Sequence, residues 1–125
     1  WQPGKIINLE RCMSMNRLLD GHIVQGHVDG KAMCNEKIIK DGSIEFSFYF
    51  ENQFAPLVIE KGSVCLNGTS LTAFNVGKNQ FTVAIIPYTL NHTNFQFLEK
   101  GDFVNIEFDV LGKYVQRMMD LKSID

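Results

Sequence analysis

The sequence predicts an all-β domain, because apolar and polar residues alternate along most of its segments and Asx-Gly dipeptides separate those segments. Ten phenylalanines beside one tryptophan and three tyrosines favour a sheet-rich core. The chain has 125 residues, of which 45% are apolar and 21% are charged, as is usual for one globular domain. One hydrophobic core is therefore sufficient to fold it without disulfides or metals.

Residues 43–51 form the clearest predicted strand. Their apolar side chains share one face and their polar side chains the other, with Ile44, Phe46, Phe48 and Phe50 on the apolar side. Asp41-Gly42 precedes this segment, and such a dipeptide readily adopts the positive φ angles of a two-residue hairpin turn. This part of the chain therefore predicts a hairpin that leads into a half-buried strand.

Turn residues and a proline also bound the other predicted strands. Asn67-Gly68 predicts a second hairpin between strands at 63–66 and 69–76. A strand at 81–86 ends at Pro87, because proline lacks the N–H that a ladder needs. Residues 52–60 are interpreted as a short helix or a covering loop.

The C-terminal residues show the one clear helical pattern in the sequence. From 110 onward, apolar residues recur at helical spacing, at Val110, Tyr114, Met118 and Leu121. Asp109 stands where an N-cap residue would stand. We therefore assign residues 110–125 to a C-terminal helix.

Residues 4–10 and 101–107 share the pattern Gly-x-x-(Ile/Val)-Asn-(Leu/Ile)-Glu. Two equivalent closing strands of similar domains would produce such an echo. On this interpretation residues 1–20 are the closing strand and tail, or linker, of an N-terminal domain that is otherwise missing, and residues 21–109 form the second domain. The start at Trp1, without an initiator Met, also suggests a fragment, the alternative being a residue left by a tag.

Composition narrows the classes of partner. A net charge of -2 and a pI near 5.9 favour neither nucleic acid nor an anionic membrane as a partner. No apolar run approaches the roughly 20 residues of a membrane span. The three cysteines are widely spaced, without a zinc-ligand pattern, which fits reduced thiols in a cytoplasmic protein. We expect no metal, and a small molecule or another protein as the partner.

Four stretches together resemble the C-terminal half of the riboflavin synthase family. They are Asn8-Leu9-Glu10-Arg11; Gly21-His22-Ile23-Val24-Gln25-Gly26-His27-Val28-Asp29-Gly30; Lys61-Gly62-Ser63 with Asn67-Gly68-Thr69-Ser70-Leu71-Thr72; and Ile86-Pro87-Tyr88-Thr89-Leu90 with Asn105-Ile106-Glu107. Their order and approximate spacing follow those of the family. The combination of G-H-x-x-x-G-H with N-G-x-S-L-T is more specific than either motif alone.

The resemblance implies a six-stranded antiparallel Greek-key barrel, one of two similar barrels in tandem, in a homotrimer assembled partly through C-terminal helices. It implies a transferase that converts two molecules of 6,7-dimethyl-8-ribityllumazine into riboflavin and 5-amino-6-ribitylaminopyrimidinedione. The reaction needs no cofactor, because the electron-poor ring acidifies the 7-methyl group of the substrate. In this family the active site lies between the N-terminal barrel of one subunit and the C-terminal barrel of another, so this chain would supply one wall.

The resemblance also assigns residues to the site. Ser70, Asp109 and His27 become catalytic candidates, and the substrate-binding candidates are Lys61, Thr72, Ile86, Thr89 and Val28. Ser70 and Thr72 are two apart on a predicted strand, so both hydroxyls project from one face; without the resemblance they are an ordinary solvent-facing pair. For Asp109 the N-cap role is equally strong. His22 and His27 would face opposite sides of an unbroken strand, which disfavours a two-histidine metal site, and we take His22 as structural.

One family feature has no counterpart here. The first barrel of the family contributes an Asn-Gly-x-Cys-Leu-Thr-like segment, and Cys65 is not its equivalent because it precedes the Asn-Gly turn. We therefore expect incomplete turnover by this chain alone. The alternative function is lumazine or flavin binding without turnover, as in lumazine proteins, and a barrel that binds some other ligand is a more distant possibility.

Overall fold

The computed structural model describes residues 2–124 and contains six strands and two α-helices. The strands are β1 (Gly30–Lys40), β2 (Ser43–Tyr49), β3 (Ser63–Leu66), β4 (Thr69–Thr72), β5 (Gln80–Ile85) and β6 (Phe103–Phe108). The helices are α1 (Pro87–His92) and α2 (Val110–Lys122), and 3₁₀ turns occupy Asn52–Leu57 and Asn94–Phe97.

All strand pairs are antiparallel, in the order β4-β3-β6-β1-β2-β5. The links from β2 to β3 and from β5 to β6 join strands that are not neighbours, as a Greek-key topology requires. The chain just after β4 meets the other end strand, β5, at one bridge, between Phe74 and Thr82. The predicted all-β fold with six antiparallel strands is confirmed.

The inner face of the sheet is filled with aromatic side chains. Phe46 lies 5.7 Å from Phe95, and Phe50 lies 5.6 Å from Phe108, measured between ring centroids. Phe46, Phe48, Phe81 and Phe108 are at most 1% exposed. Each buried aromatic ring of this size contributes about 3 kcal/mol or more relative to alanine. The interior is therefore a packed core that leaves no room for a heterocyclic ligand.

Two helical segments that the sequence pattern did not predict follow β5. Pro87 occupies the first turn of α1, where its missing N–H costs nothing, and Ile86 is the extended residue before it. Thr93 then starts the 3₁₀ turn, since its hydroxyl accepts a hydrogen bond from the backbone N–H of Phe95 at 3.3 Å. Six residues are too few to show helical periodicity in a sequence, so the pattern predicts only that the strand ends at the proline.

The N-terminal segment contacts the domain through Asn8 but does not join the sheet. The segment 4–10 forms no strand here, although its echo of 101–107 predicts one. A strand needs a neighbour for its N–H and C=O groups, and no strand of residues 2–124 pairs with this segment. Instead the Asn8 side chain donates to the backbone oxygen of Asn67 at 2.7 Å and accepts from the backbone N–H of Asn94 at 2.7 Å.

α2 begins at the predicted N-cap. The Asp109 carboxylate accepts the N–H of Leu111 at 3.1 Å. Lys113 forms an ion pair of 2.8 Å with Asp29, which also accepts the backbone N–H of Phe108. None of the described helices is long and apolar enough to cross a membrane.

Two of the three cysteines are buried in the sheet, Cys34 in β1 and Cys65 in β3. Burial raises the pKa of the Cys65 thiol to about 11, with a further upward contribution from the carboxylate of Glu107. Burial also raises the pKa of Cys34. Neither thiol is a thiolate near neutral pH, so neither is an activated nucleophile.

We predict that the free energy of unfolding decreases as the pH rises from about 9 to about 11, partly because of Cys65. In this range the unfolded thiol loses its proton while the folded one keeps it, so the unfolded state binds fewer protons and is favoured. Urea unfolding measured between pH 8 and 11 should show a steeper decline for the parent than for Cys65→Ala. Cys12→Ala, which removes an exposed thiol, is the matched control and should follow the parent. Parallel profiles for the parent and Cys65→Ala would contradict the prediction.

Candidate functional site

The seam between β4 and β5 is the least bonded part of the sheet. The N–H of Phe74 donates to the oxygen of Thr82 at 2.9 Å, and the N–H of Thr82 donates back at 2.8 Å. Continued in the same register, the ladder would pair Thr72 with Ala84, but no such pair forms. The two strands therefore diverge directly beyond the bridge.

Divergence leaves backbone groups without strand partners. Successive residues of an antiparallel strand direct their N–H and C=O groups to alternate sides. Because Phe74 and Thr82 bond across the seam, the residues two positions further along each strand, Thr72 and Ala84, direct their backbone groups toward the same gap. Neither has a strand partner on that side within residues 2–124. The gap is thus lined by backbone donors and acceptors.

A shallow hollow of about 330 Å³ lies over this gap, on the outer face of the sheet. Its lining comes from both strands and from the start of α1, and consists of Ser70, Leu71, Thr72, Phe74, Ala84, Ile86 and Thr89. Apolar side chains provide surface for a flat ring, and three hydroxyls provide hydrogen-bonding groups. The hollow is open, so it covers one side of a ligand of this shape.

The structure brings four of the predicted site residues together in this hollow. Ser70 and Thr72 project from β4, as their spacing in the sequence predicts, while Ile86 and Thr89 lie at the junction of β5 with α1. These residues share the outer face of the sheet, while phenylalanines fill the inner face.

The other four predicted site residues do not line the hollow. His27 and Val28 are exposed on the segment before β1, and Lys61 is exposed at a left-handed position with a φ of 63°. The Asp109 carboxylate is engaged as the N-cap of α2, the second of its two predicted roles.

Ser70 has a neighbour that the sequence interpretation treated as structural. Nδ1 of His22 lies 2.7 Å from Oγ of Ser70. Gly21 packs against the same side chain so closely that a Cβ at position 21 would collide with it, and its φ of 90° also favours glycine. The segment 21–25, which we call the covering segment, therefore lies directly over Ser70.

The covering segment also contacts β6. The backbone N–H of Gln25 donates to the Glu107 carboxylate at 2.8 Å, and Glu107 is 4% exposed. Cross-strand pairing aligns Ser70 with Cys65, and Cys65 with Glu107, so these three side chains share the outer face. The covering segment lies across this row, in which Cys65 and Glu107 are buried and Ser70 is half-buried.

Sequence reasoning missed His22 because it assumed one straight strand over residues 22–27. The chain there forms no strand, and Gly26 adopts a φ of 74°, so the two histidines are not related by simple alternation. Ala84 was missed as well. The signal for it was available, since alternation places Ala84 between Thr82 and Ile86 on the outward face of β5, where a small side chain leaves space.

No group of three or more metal-ligating side chains occurs in residues 2–124. A second, smaller hollow of about 190 Å³ lies near the hairpin between β1 and β2 and is lined mainly by aliphatic side chains, with Ser43 at its edge. It contains none of the predicted site residues. The seam hollow is therefore the better candidate for a ligand with polar edges.

Comparison with known proteins identifies relatives. Riboflavin synthase of Brucella abortus is 41% identical over 118 residues, which are 94% of this chain and 58% of that protein. Riboflavin synthase of Schizosaccharomyces pombe is 35% identical over 125 residues, covering 99% of this chain and 60% of that protein. The chain thus spans a little over half the length of these curated relatives.

Solved structures give the same fold. LumP complexed with riboflavin superposes with a TM-score of 0.69 at 18% identity, covering 74% of this chain and 50% of that one. LumP complexed with 6,7-dimethyl-8-(1'-D-ribityl) lumazine gives a TM-score of 0.67 at 16% identity, with 74% and 52% covered. The family profile described as "Lumazine binding domain" matches residues 25–109, which include all six strands of the sheet. This chain belongs to the lumazine-binding domain family.

Proposed function

We propose that this chain binds 6,7-dimethyl-8-ribityllumazine in the seam hollow and forms one wall of a riboflavin synthase active site. One observation carries the proposal: four residues assigned to the site by the family resemblance converge on a hollow whose floor is an unpaired backbone edge. The relatives named riboflavin synthase, which match nearly the whole chain, support the choice of reaction.

The chemistry of the ligand fits the hollow. A pyrimidinedione edge carries alternating N–H and C=O groups, as a β-strand does, so it can bond to the backbone of Thr72 and Ala84 as an added strand would. Leu71, Phe74 and Ile86 offer apolar surface to the ring. The ribityl chain carries hydroxyls, for which Thr89 is a partner.

The openness of the hollow supports a half-site. Pockets that enclose a small ligand measure roughly 300–1,000 Å³ and bury most of its surface. This hollow, at about 330 Å³, lies at the lower end and is open on its outer side. A second ring can therefore stack on the first from outside, held by another barrel.

The proposed activity is transfer of a four-carbon unit between two lumazine molecules. Holding two rings face to face replaces a bimolecular encounter by an oriented one, which lowers the barrier by several kcal/mol or more. Ser70 is the proposed acid or base within the hollow, and positioned groups of this kind contribute about 10²–10⁴-fold. His27 and Asp109 remain family-based candidates that would act from outside the hollow.

The assembly and compartment are part of the same proposal. Side chains along α2 are more than half exposed although apolar, among them Leu111, Tyr114, Met118 and Met119. Such a surface supports packing between C-terminal helices, as in the homotrimer that the resemblance implies. Three free cysteines are consistent with a reducing, cytoplasmic environment. A non-catalytic role as a lumazine- or flavin-binding protein is the second candidate, supported by the fold shared with LumP.

We predict that Ala84→Ile weakens lumazine binding by more than tenfold without lowering thermal stability. Ala84 is exposed on β5 and lines the hollow, so a larger β-branched side chain fills the space of the ring while remaining compatible with a strand. Binding is followed by the fluorescence of the lumazine. Gln80→Ile, at an exposed position on the same face of β5 but outside the hollow, is the matched control. Equal affinity of the Ala84 variant and the parent would place the ligand elsewhere.

We predict that Thr72→Val weakens binding about fivefold, since it removes one hydroxyl hydrogen bond but keeps the shape and the strand propensity. Ser43→Ala removes a hydroxyl from the smaller hollow and should leave the affinity unchanged. The reverse pattern would assign the ligand to the smaller hollow.

We predict that the chain alone binds lumazine but forms no riboflavin at a measurable rate. Addition of an isolated N-terminal half of the Brucella abortus relative should restore turnover, measured by the absorbance of riboflavin, because it supplies the second ring-binding wall. Binding without turnover in the mixture would favour the non-catalytic role. Turnover by the chain alone would contradict the half-site.

A further inference from the structure

The imidazole of His22 is held against the hydroxyl that lines the hollow. Its Nδ1 lies 2.7 Å from Oγ of Ser70, a short hydrogen bond between half-buried side chains. Ser70 is at the same time part of the hollow's lining. The Ser70 side chain thus contacts both His22 and the space proposed for the ligand.

The position of His22 is fixed at both ends of the covering segment. On one side Gly21 packs on Ser70 of β4. On the other side the N–H of Gln25 is bonded to the buried carboxylate of Glu107 on β6. Neighbouring strands are about 4.8 Å apart, so these contacts attach the segment to the sheet across a width of roughly 10 Å. The imidazole is therefore set in place by backbone contacts that do not involve the ligand.

The second ring nitrogen of His22 makes no hydrogen bond within residues 2–124, so Ser70 is the polar side chain that the imidazole contacts. This nitrogen, Nε2, is buried. A serine hydroxyl has one proton to donate and can also accept. If Nδ1 accepts that proton, Ser70 presents only lone pairs to the hollow; if Nδ1 donates, Ser70 presents its proton.

We infer that His22 is a positioning residue that sets the rotamer and the hydrogen-bond polarity of Ser70 toward the bound lumazine. This inference rests on the proposed function, since it concerns the same hollow. It gives His22, rather than the exposed His27, the role of the imidazole that acts at Ser70. His22 acts through the hydroxyl and does not touch the ring.

The first experiment measures lumazine affinity by fluorescence in a set of variants. In His22→Asn the amide occupies roughly the place of Nδ1, whereas in His22→Gln it lies further out, near the place of Nε2. We expect His22→Asn to bind within twofold of the parent and His22→Gln to bind about fivefold more weakly, the loss typical of one hydrogen bond. His92→Gln is the matched control, because Nδ1 of His92 also makes a 2.7 Å bond but to the backbone of Tyr88.

A double variant tests the coupling. If His22 acts through Ser70, then Ser70→Ala combined with His22→Gln binds no more weakly than Ser70→Ala alone. Additive losses, or equal losses in His22→Asn and His22→Gln, would overturn the inference and leave His22 with a packing role.

The second experiment needs no ligand, so it separates failure of this inference from failure of the proposed function. In ¹⁵N-histidine NMR spectra, Ser70→Ala should shift the Nδ1 resonance of His22 and leave those of His27 and His92 in place. An unchanged Nδ1 resonance would show that the pair does not form in solution. If the resonance shifts but the parent binds no lumazine, the pair stands and the proposed function fails.

Discussion

The gap between β4 and β5 is the constraint on which the candidate site depends. The two end strands are held together by the Phe74–Thr82 bridge, and no ladder continues past it. A complete ladder would close the gap, satisfy the backbone groups and leave a smooth wall. A wider separation would expose the aromatic core. The single bridge fixes the width between these limits, so a flat molecule can meet backbone groups on two strands at once.

The covering segment adds an ionisable side chain beside that gap. The seam alone would present three hydroxyls, apolar side chains and main-chain groups. By attaching to β6 through Glu107 and to β4 through Ser70, the segment places an imidazole against Ser70 and covers the buried Glu107. The cost is a buried nitrogen on His22 that has no hydrogen-bond partner among residues 2–124, and such a group costs about 1–3 kcal/mol. Such a cost is typical of a site rather than of a core.

Much of the fold was predictable, since it depends on local patterns. The phenylalanines of β2 alternate, and the Asx-Gly turns lie where hairpins occur, so pairing of neighbouring strands follows from short-range chemistry. Four of the eight named site residues converge on the hollow, and strand alternation explains the shared face of two of them, Ser70 and Thr72. The rest depended on long-range geometry. The contact between His22 and Ser70 joins residues 48 positions apart across a segment without periodicity, and no local pattern reports such a contact.

Because the hollow lies on the outer face of the sheet, stability and ligand recognition depend largely on different side chains. In many binding proteins the same side chains must provide both. The rings of Phe46, Phe48 and Phe81 stabilise the sheet from inside and do not line the hollow. Substitutions that repack these rings therefore act on the melting temperature without altering the residues that line the hollow, and outward-facing substitutions at the hollow leave these rings in place. Apart from Leu71, which both packs against the core and lines the hollow, stability and the proposed recognition can be altered through different side chains.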